Sequence, residues 1–166
     1  MKKWWLSFYI LITVINLSPV SSQEYTAKRG DFWICPGAEM ALYSISSAAC
    51  GGSIAMAYGR GASIGLKASL FFDIENQIDT LELGLLLRYY FFGGAANSGP
   101  FIQFTGGPAL FFDRENTGIP AELGSISAGL HLGWRFLLGE TFFVEPSVRG
   151  GFPFIAGAGL SAGVRF

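Results

Sequence analysis

The single histidine, His131, is the residue of this sequence best suited to general-base chemistry. A catalytic histidine needs a nucleophile within hydrogen-bond reach. On a β-strand, the position two residues further on the same face is Gly133, and the serine on that face, Ser127, is about 13 Å away. The sequence has no Walker or HExxH motif, and its two GxSxG matches, GASIG at 61–65 and GLSAG at 159–163, fall within alternating stretches rather than at the strand-to-helix turn that a nucleophilic serine needs. We therefore predict that the protein is not an enzyme and has no catalytic residue, no metal site and no cofactor.

The other candidate functional residues are charged, and they occur within apolar stretches, on one face of an alternating pattern. In LELGLLLRYYFF, residues 81–92, the odd positions form a wholly apolar face, whereas Glu82 and Arg88 share the other face. The stretch is too short for a transmembrane helix, which needs about 20 apolar residues. In any helix, Glu82 and Arg88 would point to different sides. The pattern therefore predicts a β-strand.

The same alternation recurs along the chain and gives eight candidate strands, most of about 10 residues. Membrane barrels have such strands, with apolar residues toward lipid and polar residues toward the lumen. We predict an all-β fold, an eight-stranded antiparallel transmembrane β-barrel with up-and-down connections. A soluble lipid-binding barrel or β-sandwich is the rival fold, but its polar face would lie in water, and here that face is rich in alanine and glycine. The residues predicted to form a polar network in the lumen are Glu39, Lys67, Glu82, Arg88, His131, Arg135, Glu145, Arg149 and Arg165.

Two further features refine the strand prediction. Aromatic residues concentrate near the strand ends, among them Phe32 with Trp33 and Phe142 with Phe143, which predicts two belts at the membrane interfaces. The segment Gly106–Gly107–Pro108 predicts a β-bulge, because proline cannot donate to a ladder hydrogen bond.

The N-terminus has the pattern of a secretory signal. Lys2 and Lys3 precede an apolar run over residues 4–17, and small residues follow at positions 20 and 22. We predict a signal peptide over 1–22, a short periplasmic segment over 23–30 and one barrel domain over 31–166; an uncleaved anchor helix is the alternative. Without Lys2 and Lys3, 9 of the 11 basic residues remain against 12 acidic ones, a net charge of −3, which argues against binding nucleic acid.

Together these features resemble the small outer-membrane β-barrels of the OmpX, OmpA-domain and OmpW type, over residues 31–166. The last strand, GAGLSAGVRF, carries the most specific part of this resemblance, because it alternates up to a terminal phenylalanine. The resemblance implies an integral protein of the bacterial outer membrane with a periplasmic N-terminus, and outer-membrane lipid and the assembly machinery as partners. It also implies an assembly signal that consists of Leu160, Ala162, Val164 and Phe166.

An eight-stranded barrel is just wide enough for side chains to fill it. Five Lys or Arg residues face three Glu residues and His131 in the predicted lumen, so we expect an ion-pair network with trapped water. We predict a mostly plugged lumen and a structural or surface-interaction role. The alternative is a narrow, porin-like channel for small or hydrophobic solutes.

Loop lengths and charges give the outer face of this barrel. With a periplasmic N-terminus, the connections near 44–50, 74–79, 113–124 and 150–156 face outward. They carry six acids against one base, which leaves an extracellular ligand of unknown identity open; these residues are Asp73, Glu75, Asp79, Asp113, Glu115, Glu122 and Arg114. Cys35 and Cys50 are predicted to be free thiols, because a hairpin that turns near residue 47 separates them by roughly 30 Å, beyond the ~7 Å limit.

Overall fold

Eight antiparallel strands close into a single barrel in a computed structural model, which describes residues 31–43, 47–74, 78–92, 98–113 and 120–166. Each strand pairs with the next in sequence, and β8 pairs with β1, so the predicted fold class is confirmed. The predicted signal peptide and the segment 23–30 lie outside the described residues. The strands are β1 (Phe32–Leu42), β2 (Ala48–Gly59), β3 (Ala62–Asp73), β4 (Ile78–Tyr90), β5 (Gly99–Asp113), β6 (Pro120–Leu138), β7 (Phe142–Phe152) and β8 (Ala156–Arg165).

The pairing register is staggered around the barrel, and this stagger sets its width. The stagger is counted by following paired residues once around the barrel from Phe32. The path returns to β1 at Leu42, ten residues further on. The residues passed are Tyr58, Ile64, Leu87, Phe104, Leu130, Gly150 and Ala156. A stagger of ten residues, each rising about 3.3 Å, around a barrel of eight strands about 4.8 Å apart corresponds to strands tilted by about 40° from the barrel axis. The interior is correspondingly narrow.

Side chains alternate between the interior and the outer surface as the sequence pattern predicts. On β4, Leu83, Leu85 and Leu87 are 41%, 61% and 51% exposed, whereas Glu82 and Arg88 are buried. The charged residues of the apolar stretches therefore point inward, and the leucines form part of the outer coat. The described residues contain no helix that is long and apolar enough to cross a membrane.

The predicted bulge at Gly106–Gly107–Pro108 is wrong. Gly106 pairs with Ala128 and Pro108 with Ile126 in the same register, and the β5–β6 register shifts only beyond Ala109. Pro108 lacks a backbone hydrogen-bond donor, so it can interrupt a ladder of hydrogen bonds. Because no extra residue is inserted, the alternation of inward and outward side chains continues past it. Ala109 accordingly remains inside, 1% exposed.

Candidate functional site

The lumen is the candidate site, and the structure brings together in it all but one of the polar residues singled out from the sequence. The exception is Arg165, the last residue of β8, whose Nη2 donates a hydrogen bond of 2.6 Å to the carbonyl of Glu140 at the rim. Its position at the strand end places its side chain by the β6–β7 turn rather than among the buried charges. The residues that lie inside are Glu39, Lys67, Glu82, Arg88, His131, Arg135, Glu145 and Arg149.

At the end of the barrel where β1 begins, Glu145 joins two buried arginines. Its Oε1 lies 2.7 Å from Nη1 of Arg88 and 2.6 Å from Nε of Arg135. Arg88 also donates from Nε to Oε1 of Gln103 at 2.9 Å. These charge-assisted hydrogen bonds fix one carboxylate between two buried guanidinium groups.

Four inward aromatic rings surround these arginines. The guanidinium carbon of Arg88 lies 4.3 Å from the Trp33 ring centroid and 4.1 Å from that of Phe101. That of Arg135 lies 3.8 Å from the Phe143 ring and 5.0 Å from that of Tyr90, within cation–π range. We call Trp33, Tyr90, Phe101 and Phe143 the first plug.

Two of these rings, Trp33 and Phe143, are predicted from the sequence to lie in the membrane-interface belts, and for both the prediction is wrong. Neighbouring aromatics on a strand point to opposite faces. Phe32 and Phe142 are therefore outside, 37% and 59% exposed, whereas Trp33 and Phe143 are inside, 0% and 1% exposed. The alternation that placed the charges could also have found the plug, because Trp33 shares the parity of Glu39.

The middle of the lumen holds the histidine and an ion pair of Glu39, whose Oε2 also lies 3.5 Å from Nη1 of Arg149. Nζ of Lys67 lies 2.5 Å from Oε1 of Glu39. Nε2 of His131 lies 3.2 Å from Oγ1 of Thr105, in a hydrogen bond whose direction depends on the histidine tautomer. A cavity of about 20 Å³ lies between these groups and the first plug, with Gln103 in its wall. This is room for about one water molecule.

The other end of the lumen is closed by a bidentate ion pair and a second set of rings. Nη1 and Nη2 of Arg149 donate to the two carboxylate oxygens of Glu82 at 2.9 and 3.0 Å. Above this pair, the Phe154 ring lies 4.4 Å from Phe71 and 4.3 Å from Tyr43, measured between centroids. We call Tyr43, Phe71 and Phe154 the second plug.

Phe154 belongs to the β7–β8 connection, part of a segment predicted to be an outward-facing loop. The structure instead buries its side chain completely in the mouth of the barrel. The backbone N–H of Ile155 donates to the carbonyl of Leu42 at 2.8 Å, which ties the connection to the end of β1. Burial of the Phe154 ring in the barrel mouth is favourable, because it removes a large apolar side chain from water.

Asp73 is a second correction to the predicted outer loops. It is the last residue of β3 and only 4% exposed, opposite the inward-facing Ala49. Asp79 lies within β4 rather than in a loop. With Asp73 added and Arg165 removed, the described side chains include four buried acids, among them Glu39, and four buried bases. Glu75, Arg114 and Glu115 lie outside the described residues, as do the side chains of Asp113 and Glu122.

Cys35 and Cys50 are free thiols, as predicted, but the predicted separation was too long. Cys50 pairs with Met40, five residues from Cys35 along β1, which corresponds to about 17 Å. Cys35 is buried inside and Cys50 is exposed outside. The β1–β2 hairpin turns earlier than predicted, which shortens the distance without making a disulfide feasible.

The arrangement offers little chemistry in the residues that the structure describes. His131 contacts Thr105, while Oγ of Ser127 donates instead to the carbonyl of Gly107 at 3.2 Å. No group of three or more His, Cys, Asp or Glu side chains in the described ranges could hold a metal ion. The buried charged groups of the described residues pair with one another, whereas Nε1 of Trp33, Nε of Arg149 and the hydroxyls of Ser63 and Ser69 have no hydrogen-bond partner.

Comparisons with known proteins give the fold its context. No family model and no curated protein matches the sequence. Among solved structures, the N-terminal β-barrel domain of Pseudomonas aeruginosa OprF is 19% identical, with a TM-score of 0.58, and the match covers 83% of this chain and 98% of that chain. The outer membrane protein OprG of Pseudomonas aeruginosa is 15% identical (TM-score 0.57; 83% and 96%), and Neisserial surface protein A is 16% identical (0.58; 81% and 95%). The chain therefore has the fold of the small eight-stranded β-barrels of outer membranes.

Proposed function

We propose that the protein is an integral outer-membrane barrel whose lumen is sealed, with a structural or surface-interaction role rather than a transport role. The observation that supports this is the pair of plugs. Trp33 is 0% exposed at one end of the lumen and Phe154 is 0% exposed at the other. Between them, buried ion pairs leave a cavity of about 20 Å³, too small for a continuous column of water.

The alternative is a narrow channel for small solutes, and single-channel recording separates the two. The mature chain is refolded and added to planar lipid bilayers. We expect no conductance from the wild-type protein, because both plugs lie in series on the axis. Stable ohmic steps from the wild-type protein would overturn the proposal in favour of the channel.

Variants of the plugs make this measurement informative. Each single substitution, Trp33→Ala or Phe154→Ala, should remain silent, because the other plug still closes the lumen. The double variant removes a large ring at each end but leaves the buried ion pairs between the plugs, so it should also remain silent; conductance steps from this variant alone would show that the rings, and not the ion pairs, close the lumen. Leu85→Ala, on the outer face and 61% exposed, is the silent control for the effect of substitution itself.

The proposed orientation has a periplasmic N-terminus and acidic segments on the cell surface. It rests on the resemblance to small outer-membrane barrels and not on loop length, because the β4–β5 connection, 91–98, is longer than every connection at the other end of the barrel. A cysteine introduced by Gly139→Cys, in a Cys50→Ser background, tests it in whole cells. A membrane-impermeant maleimide should leave this position unlabelled until the outer membrane is opened; labelling of intact cells would reverse the orientation.

A further inference from the structure

The β7–β8 hairpin is bounded on both sides by interrupted ladders. On one side, the β1–β8 pairing skips Cys35 and Pro36, and on the other side the β6–β7 pairing skips Glu145 and Pro146. Proline has no backbone N–H, so it cannot donate a ladder hydrogen bond at either place. Between β7 and β8 themselves, every residue over 142–150 is paired. The hairpin is therefore continuous within itself but weakly joined to its neighbours.

A third interruption divides the barrel into parts of unequal size. The β4–β5 pairing skips Pro108, so the three interruptions separate β1–β4, β5–β6 and β7–β8. The strands β7 and β8 have 11 and 10 residues, whereas β5 and β6 have 15 and 19. Shorter strands form fewer ladder hydrogen bonds with their neighbours. The β7–β8 hairpin is thus the part of the described barrel that separates at the lowest cost.

The same hairpin supplies one side chain to each layer that closes the lumen. Phe143 belongs to the first plug and Phe154, in the β7–β8 connection, to the second. Between the plugs, Glu145 and Arg149 form ion pairs with side chains on β4, across the lumen. A displacement of the hairpin would therefore open all the layers together.

We propose that the β7–β8 hairpin is a gate that moves as one unit and is latched shut by the ion pairs of Glu145 and Arg149. The inference rests on the sealed lumen of the proposed function, which is the latched state. Displacement of the hairpin breaks the fewest backbone hydrogen bonds at the two interruptions and carries both rings away from the axis. The passage so opened is lined by the charged side chains of the other strands, which suits small polar solutes.

Cys35 is a native reporter of this movement. Its side chain is inside, 3% exposed, and its Sγ lies 3.8 Å from Oε2 of Glu145. In a Cys50→Ser background it is the one remaining thiol. A small charged methanethiosulfonate is added to the mature chain refolded in vesicles, and labelling is followed by mass spectrometry. We expect slow labelling, because the reagent reaches Cys35 while the hairpin is displaced.

The labelling rate separates this inference from the proposed function. Labelling as fast as that of an exposed thiol would show that the lumen is open at rest, and it would overturn the proposed function. No labelling of the folded barrel over days would overturn the gate and leave the sealed lumen in place.

Proline variants show whether the interruptions are the places that yield. Pro36, Pro108 and Pro146 point outward, so valine at these positions faces away from the lumen. P36V/P146V restores an N–H on each side of the hairpin and should slow labelling of Cys35 roughly tenfold. P146V alone, remote from Cys35 in sequence, should slow it by a smaller factor. Glu145→Gln removes part of the latch and should speed labelling, and P36V/P146V should reverse this effect.

P108V is the matched control, the same change in a ladder that does not border the hairpin. It should leave the labelling rate of Cys35 unchanged, and heat-modifiable migration reports that each variant is folded. Equal slowing by P108V and by P36V/P146V would assign the labelling to unfolding of the whole barrel and overturn the proposal.

Discussion

At the scale of single residues, Glu145 is the carboxylate that joins Arg88 and Arg135 in one of the two buried charge clusters. Its inward direction follows from the alternation of β7, where Val144 is on the outward parity. Its partners could not be predicted in the same way. Arg88 is 57 residues away in sequence, and the two meet only because both cross the lumen from non-neighbouring strands. Periodicity gives the face of each side chain, whereas ion pairs depend on the register of several ladders.

Replacing Glu145 with glutamine should strongly destabilise the barrel. Two guanidinium groups, of Arg88 and Arg135, would lose the one carboxylate that both contact. Removing one partner from a buried pair typically costs about 3–5 kcal/mol, because the remaining charge stays desolvated. Urea titration of the protein refolded in vesicles measures the change in the free energy of unfolding.

Arg165→Gln is the control for this prediction, since Arg165 binds a carbonyl at the rim and is partly exposed. Its loss should cost less than about 1 kcal/mol. If both variants lost the same small amount, Glu145 would not hold the buried network together, and the seal of the lumen would depend on the aromatic rings alone.

At the scale of the strands, the aromatic rings of the first plug need glycines opposite them on the neighbouring strands. Phe143 on β7 pairs directly with Gly163 on β8, and Phe101 on β5 pairs with Gly133 on β6. In both cases the ring occupies the space that a Cβ on the glycine would fill. The sequence shows these glycines and rings, but only the register shows that they face each other.

Gly163→Ala should therefore destabilise the barrel, since the new methyl group would overlap the Phe143 ring and the carbonyl of Ile34. Overpacking of this kind typically costs about 1–3 kcal/mol. Gly61→Ala, where a Cβ has open space, should be close to neutral in the same urea titration. Equal stability of the two variants would show that Phe143 can leave the lumen at little cost.

The end of β8 gives a prediction about assembly. The backbone N–H of Phe166 donates to the carbonyl of Phe32 at 2.8 Å, and its ring is 72% exposed on the outer surface. Deleting Phe166 removes one aromatic contact, worth about 1–3 kcal/mol, from a closed barrel. We expect less protein in the outer membrane of cells, while protein refolded in detergent keeps its heat-modifiable migration. Normal delivery with failed refolding would contradict the proposed assembly role of Leu160, Ala162, Val164 and Phe166.

At the scale of the whole molecule, the sequence was sufficient for the barrel fold and for the inward direction of the charged residues, because the alternation of each strand is local, whereas the belt prediction for Trp33 and Phe143 did not apply that alternation. It was not sufficient for the ten-residue stagger, which is a sum over all eight ladders. The same limit explains Phe154 and Asp73, which were predicted in solvated loops. Where a strand ends depends on how far its neighbours extend, so residues next to a predicted turn can lie inside the lumen.

The inside–outside order of the whole barrel predicts a depth-dependent effect of charge on its outer surface. Leu85 lies near the middle of β4 and Tyr89 one residue before its end, and both point outward, 61% and 52% exposed. An outward arginine costs roughly 2–4 kcal/mol at the bilayer midplane but only about 0–1 kcal/mol near the interface. Leu85→Arg should thus lower the free energy of unfolding in vesicles far more than Tyr89→Arg, when both are measured by the same urea titration. Because the two residues share one strand and one face, equal costs would mean that β4 does not cross the hydrocarbon core, and the membrane location of the barrel would be wrong.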